Sequence, residues 1–80
     1  MTPKKLLVVD DEQDIVDLIS YNLKKEGYTV LTATNGTSAL EIAKQELPDL
    51  IILDIMMPGL DGFEVCRMLR QYPQTSQVSI

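Results

Sequence analysis

Apolar and polar positions alternate along this chain in two rhythms. "KLLVV" (Lys5–Val9) and "DLIIL" (Asp49–Leu53) are short and almost wholly apolar. That pattern predicts strands buried on both faces of a sheet. "YTVLTA" (Tyr28–Ala33) is β-branched and half polar, which predicts an edge strand. Between these runs the apolar residues recur at helical spacing: Ile15, Leu18, Ile19 and Leu23, then Ala39, Leu40, Ala43 and Leu47, then Phe63, Val65, Cys66 and Leu69. "QVSI" (Gln77–Ile80) reads as the opening of a fourth strand.

The punctuation agrees with this reading. Asp11 is placed to cap the first helix, Glu12 and Asp14 suit its positive end, and Lys24 and Lys25 suit its negative end. Gly27 falls where a left-handed residue closes a helix. "TNG" (Thr34–Gly36) opens the second helix, and Pro48 stops it. Asp61 and Glu64 have the spacing of a capping box ahead of the third helix, and Pro73 follows that helix. The order β-α-β-α-β-α-(β), with short connections, implies right-handed crossovers and a parallel sheet in an α/β fold.

Length and charge narrow the function. Eighty residues form one domain at most, with a core worth only about 3–5 kcal/mol. A net charge of −5 argues against direct nucleic-acid binding by this segment. There is no histidine, so histidine-metal sites, Ser-His triads and phosphohistidine chemistry on this chain are excluded. A single cysteine, Cys66, rules out an internal disulfide and suits the cytoplasm. The chain contains no apolar run of membrane-spanning length and no signal-peptide pattern.

The candidate chemistry lies in the acids. In an open parallel sheet, ligands gather beyond the carboxyl ends of the strands. The first strand ends at Asp10-Asp11 and the third at Asp54. Two unit charges ~4 Å apart repel by roughly 4 kcal/mol at an effective dielectric near 20. If the two strands are neighbours, folding alone would not select that arrangement. Oxygen-only ligands of high negative charge suit a hard cation such as Mg²⁺. Taken singly, each acid has an ordinary reading. Asp54 could cap a loop, Asp10, Asp11 and Glu12 could serve the helix dipole, and Asp61 reads as a cap rather than a ligand. Met56 and Met57 read as packing residues, and Cys66 as core. The signal is the joint pattern: two buried strands ending in acid, with "DIMMPGLDG" (Asp54–Gly62) after the second.

"LLVVDDE" followed by "DLIILDIMMPGLDGFEVCRMLR" resembles the receiver domain of bacterial two-component response regulators, in the branch that carries a DNA-binding output domain. The resemblance covers the whole chain. It implies a flavodoxin-like sheet of order 2-1-3-4-5, an order that periodicity does not reveal. It implies that Asp54 accepts a phosphoryl group from a sensor histidine kinase. It also implies that Asp11, Asp54 and the Met56 backbone carbonyl bind Mg²⁺ (or Mn²⁺), with Asp10 acting through a metal-bound water. A receiver has five βα units; this sequence supplies three and the start of strand 4, so residues 1–80 are expected to be the N-terminal part of one receiver domain. The hydroxyl residue at the end of strand 4 and the lysine at the end of strand 5 have no counterpart here.

Two other functions compete. An aspartate-nucleophile phosphohydrolase would need an acid two residues after Asp54, where this chain has Met56. A non-signalling module that self-assembles, as a homodimer through an open sheet edge or by segment exchange, follows from the missing strands.

Overall fold

The computed structural model describes residues 4–54, 57, 59 and 61–80. Its elements run β1 (Lys5–Val9), α1 (Gln13–Lys25), β2 (Thr29–Ala33), α2 (Gly36–Glu46), β3 (Leu50–Leu53) and α3 (Gly62–Gln71). The three strands form one parallel sheet of order β2-β1-β3. That order puts β1 in the centre and β2 at an edge, as its half-polar sequence requires. The flavodoxin-like start of the sheet is therefore present.

Register fixes where the acids emerge. Val9 pairs with Ala33 on one side and with Leu53 on the other. The residues that follow, Asp10 and Asp54, leave the sheet at the same level. Two backbone bonds extend the ladder past the strands: the Asp10 N–H donates to the Ala33 carbonyl (3.2 Å) and the Asp54 N–H to the Val9 carbonyl (3.0 Å).

Side chains alternate across each strand, so β1 feeds two layers. Leu7, Val9 and Ile51 join Ala33, Ala39, Leu40, Ala43, Met57, Val65 and Leu69 in the main core, beneath α2 and α3. Leu6 and Val8 are buried on the other face, where α1 packs against β1 and β2. The small residues Ala39 and Ala43 let α2 sit close over the sheet.

Several local expectations need correction. The capping position of α1 is Glu12, not Asp11, and its side chain makes no capping bond. Ile15 and Leu18 do not form the buried stripe of α1; they are exposed, and Val16 and Ser20 face inward. Phe63 lies outside the buried face of α3, which consists of Gly62, Val65 and Leu69. The physical reason is shared: a helix on one layer of a three-stranded sheet buries a narrow stripe, and its flanking apolar positions stay at the surface. Asp61 does cap α3, accepting from the Glu64 N–H (3.0 Å), but Glu64 turns its carboxylate to Arg67 (2.7 Å). The hydrogen bond that Arg67 donates to Glu64, and then the carboxylate's charge, raise the pKa of the Arg67 guanidinium above its ordinary value.

Beyond α3 the chain folds back to the sheet. The Thr75 hydroxyl donates to the Leu69 carbonyl (2.7 Å), and the Arg70 guanidinium donates to the Ser76 and Val78 carbonyls (2.8 and 2.6 Å). These bonds deliver Ser79 to β3, where the Ile51 N–H donates to its carbonyl (2.8 Å) and one parallel bridge joins it to Leu50. The expected fourth strand is thus a single bridge.

Gly27 takes φ +96 at the end of α1, the left-handed conformation expected of it. Leu47 takes φ 48 at the end of α2, with its side chain exposed. A side chain there is strained by its own Cβ. Replacing Leu47 with Gly keeps the bond from its N–H to the Ala43 carbonyl. Leu47→Gly should raise the unfolding free energy by roughly 0.5–1 kcal/mol, the relief of strain less the entropy of glycine. Urea denaturation measures it; a lower midpoint would mean that the Leu47 side chain contributes more than its strain costs.

Candidate functional site

The site is built from the ends of two neighbouring strands and the loops that follow them. Asp10 and Asp11 continue β1, and Asp54 continues β3. Carboxylate oxygens of Asp10, Asp11 and Asp54 all lie within 4.8 Å of one another. Asp10 and Asp54 are half-buried and Asp11 is exposed. The neighbouring strands therefore bring together all three acids expected to meet.

Such a cluster stores repulsion. Like charges at this separation repel one another. A hard cation with oxygen ligands turns the same geometry into a favourable one, and the donor set here is all oxygen. Asp10, Asp11 and Asp54 fit that requirement. The Met56 carbonyl, the fourth expected ligand, lies outside the described residues, as do Ile55, Pro58 and Leu60.

What surrounds the acids is supplied by ordinary fold-forming residues. Met57 is buried in the main core. Gly59, at φ +75, makes a turn that other residues adopt with difficulty. Asp61 stands apart in role, since its Oδ1 is engaged by the first turn of α3.

Sequence reasoning missed one feature of this site. An Asp10 carboxylate oxygen, Oδ1, accepts a hydrogen bond from the Glu12 N–H (3.0 Å) and closes a turn around Asp11. The signal was available: Asp bonds the backbone two residues on more readily than most side chains do.

Comparison with known proteins agrees with this architecture. Residues 6–80 match the family model described as response regulator receiver domain. The chain is 60% identical over 68 residues to the alkaline phosphatase synthesis transcriptional regulatory protein PhoP of Bacillus subtilis (strain 168); the match covers 85% of this chain and 28% of PhoP. The N-terminal domain of a response regulator receiver protein from Methanoculleus marisnigri JR1 superposes with a TM-score of 0.92 at 38% identity, covering 96% of this chain and 63% of that one. The response regulator TrrA of Thermotoga maritima, solved in complex with Mg(2+)-BeF, superposes with a TM-score of 0.81 at 47% identity, covering 85% of this chain and 59% of that one. The chain thus spans under a third of the curated relative and about three-fifths of the solved domains.

The separate roles of the acids can be tested directly. Asp61→Ala removes a helix cap and should cost about 1 kcal/mol of stability. It should leave divalent-cation affinity unchanged in calorimetric titration. A large loss of affinity would move Asp61 into the cation site.

Proposed function

This chain belongs to the response regulator receiver family, and on that premise we propose that Asp54 is its phosphoryl acceptor. Receivers are the signalling modules that sensor histidine kinases phosphorylate in two-component systems. The observation that carries the assignment is the meeting of the Asp10, Asp11 and Asp54 carboxylates at one end of adjacent strands. In this reading Asp11, Asp54 and the Met56 carbonyl hold Mg²⁺ or Mn²⁺, and Asp10 acts through a bound water. The acceptance of Mg(2+)-BeF by TrrA supports the choice of cation.

The reaction asks little of the protein beyond position and charge. A carboxylate oxygen of Asp54 attacks the phosphorus of a phosphohistidine on the kinase; the new O–P bond forms as the P–N bond breaks, and the electron pair leaves with the imidazole nitrogen. Asp54 must therefore be held still, which the ladder bond from its N–H to the Val9 carbonyl does. A bound divalent cation supplies positive charge to the phosphoryl oxygens as negative charge gathers there. Asp10 and Asp11 contribute the negative charge that retains it. The chain assists its own modification and is proposed to have no turnover of other substrates.

We place the protein in the cytoplasm, where a kinase would meet it; no helix among the described residues is long and apolar enough to cross a membrane. Residues 1–80 are proposed to act as part of a single receiver domain, with any DNA-binding output belonging to another part of a longer protein.

A second reading concerns the 80-residue chain by itself. Among the described residues the outer edge of β3 carries one bridge, to Ser79. Beside it lies a cavity of about 470 Å³ lined by Leu50–Leu53, Gly62, Phe63, Cys66 and Ile80, with Phe63 68% exposed. An open strand edge beside apolar surface favours pairing. We propose that this chain self-associates as a homodimer there. Sedimentation over a wide concentration range should show a dimer; a monomer at every concentration, unfolding cooperatively, would overturn it.

The principal test is mass spectrometry after incubation with acetyl phosphate and Mg²⁺. A single phosphoryl group should appear on Asp54, be released by hydroxylamine, and be absent from Asp54→Ala. Asp11→Ala should lose cation binding by about tenfold or more. Label on a Ser or Thr, or full uptake by Asp54→Ala, would defeat the assignment.

A further inference from the structure

The two strands that carry the acids also meet at their other end. There the Asp49 N–H donates to the Lys5 carbonyl (2.7 Å), and the Lys5 N–H donates back to the Asp49 carboxylate at Oδ2 (2.8 Å). The Lys5 ammonium reaches the last residue of α2, donating to the Glu46 carbonyl (3.1 Å) and to its Oε1 (3.3 Å). Residue 5 is thus held twice by the turn that enters β3. That turn carries Leu47 at φ 48, a strained conformation of the kind that persists where its surroundings fix it.

These bonds distinguish one register of β1 against β3 from another. Backbone ladder bonds form in any register, and a shift of two residues keeps every side chain on its own face. Leu6–Val9 and Leu50–Leu53 are runs of similar apolar residues, so packing separates such registers weakly. The acids at the upper ends repel and cannot draw the strands into line. A side-chain bond between particular residues can. From Lys5 to Asp10 and from Asp49 to Asp54 the step is the same, five residues. A ring that levels Asp49 with Lys5 therefore levels Asp54 with Asp10, ~16 Å away.

We propose that Asp49 is a positioning residue for the acid site, acting through the register of β1 and β3 and touching neither cation nor phosphoryl group. This role rests on the cation reading above. It needs an acceptor oxygen at residue 49 but not a negative charge.

Asp49→Asn keeps that acceptor and Asp49→Ala removes it; Asp49 is exposed, so neither change disturbs the core. Leu69→Val, a truncation in the buried face of α3, serves as a destabilised control. Mn²⁺ affinity, read by electron paramagnetic resonance on folded protein, should be nearly the same in wild type, Asp49→Asn and Leu69→Val. In Asp49→Ala it should be about fivefold weaker, the effect of losing one modest hydrogen bond. Exchange of the Asp54 amide, measured by NMR relative to the Val65 amide of α3, should be about fivefold faster in Asp49→Ala alone. Wild-type affinity in Asp49→Ala, equal weakening in Asp49→Asn, or equal weakening in Leu69→Val would overturn the proposal. If wild type binds no Mn²⁺, the cation reading fails instead, and exchange of the Asp54 amide decides whether Asp49 sets the register.

Discussion

Everything at this site depends on one constraint, the parallel register that ends β1 and β3 at the same level. Val9 lies opposite Leu53, so the next residues on both strands emerge side by side as carboxylates. The ladder bonds of the Asp10 and Asp54 N–H groups fix the backbones, so only side-chain rotation can separate the carboxylates. Buried strands supply the rigidity: Leu7, Val8, Val9 and Ile51 are almost wholly removed from solvent. The hydrophobic sheet thus acts as a clamp on the backbones that carry the acids.

The rest of the fold serves that clamp at increasing distance. The alanines of α2 and the inward residues of α3 cover one face of the sheet, and α1 covers the other. Met57 lies in the same core as Leu7 and Val9 of β1. On the opposite edge of β3, Arg70 and Thr75 fold the chain back so that Ser79 meets Ile51. The apolar interior sets the positions of the acids.

Much of this was legible in the residues. The runs Lys5–Val9 and Asp49–Leu53 gave strands to within one residue, but only β1 is buried on both faces; in β3 Ile51 alone is buried, and Leu50, Ile52 and Leu53 are half-buried at the sheet edge. Asn35, Pro48 and Gly27 marked turns because their backbone chemistry is local. The three site acids followed from strand ends combined with a neighbour relation that only the resemblance supplied. Burial on the helix faces was less legible. Periodicity cannot say how wide a stripe the sheet will cover, so Ile15, Leu18, Leu47 and Phe63 continue the apolar pattern yet lie at the surface. Nor does spacing reveal which of two adjacent aspartates turns back on the backbone, because that choice depends on where β1 stops relative to α1.

The central claim is that the acids are held together at the expense of folding and repaid by a cation. Chemical denaturation of wild type and Asp54→Asn, each with and without Mg²⁺, tests it most directly. Without the cation, Asp54→Asn should be the more stable protein, because one of three mutually repelling charges is gone. Adding Mg²⁺ should stabilise wild type and leave Asp54→Asn nearly unmoved. A less stable metal-free Asp54→Asn, or an equal Mg²⁺ shift in both proteins, would contradict the account.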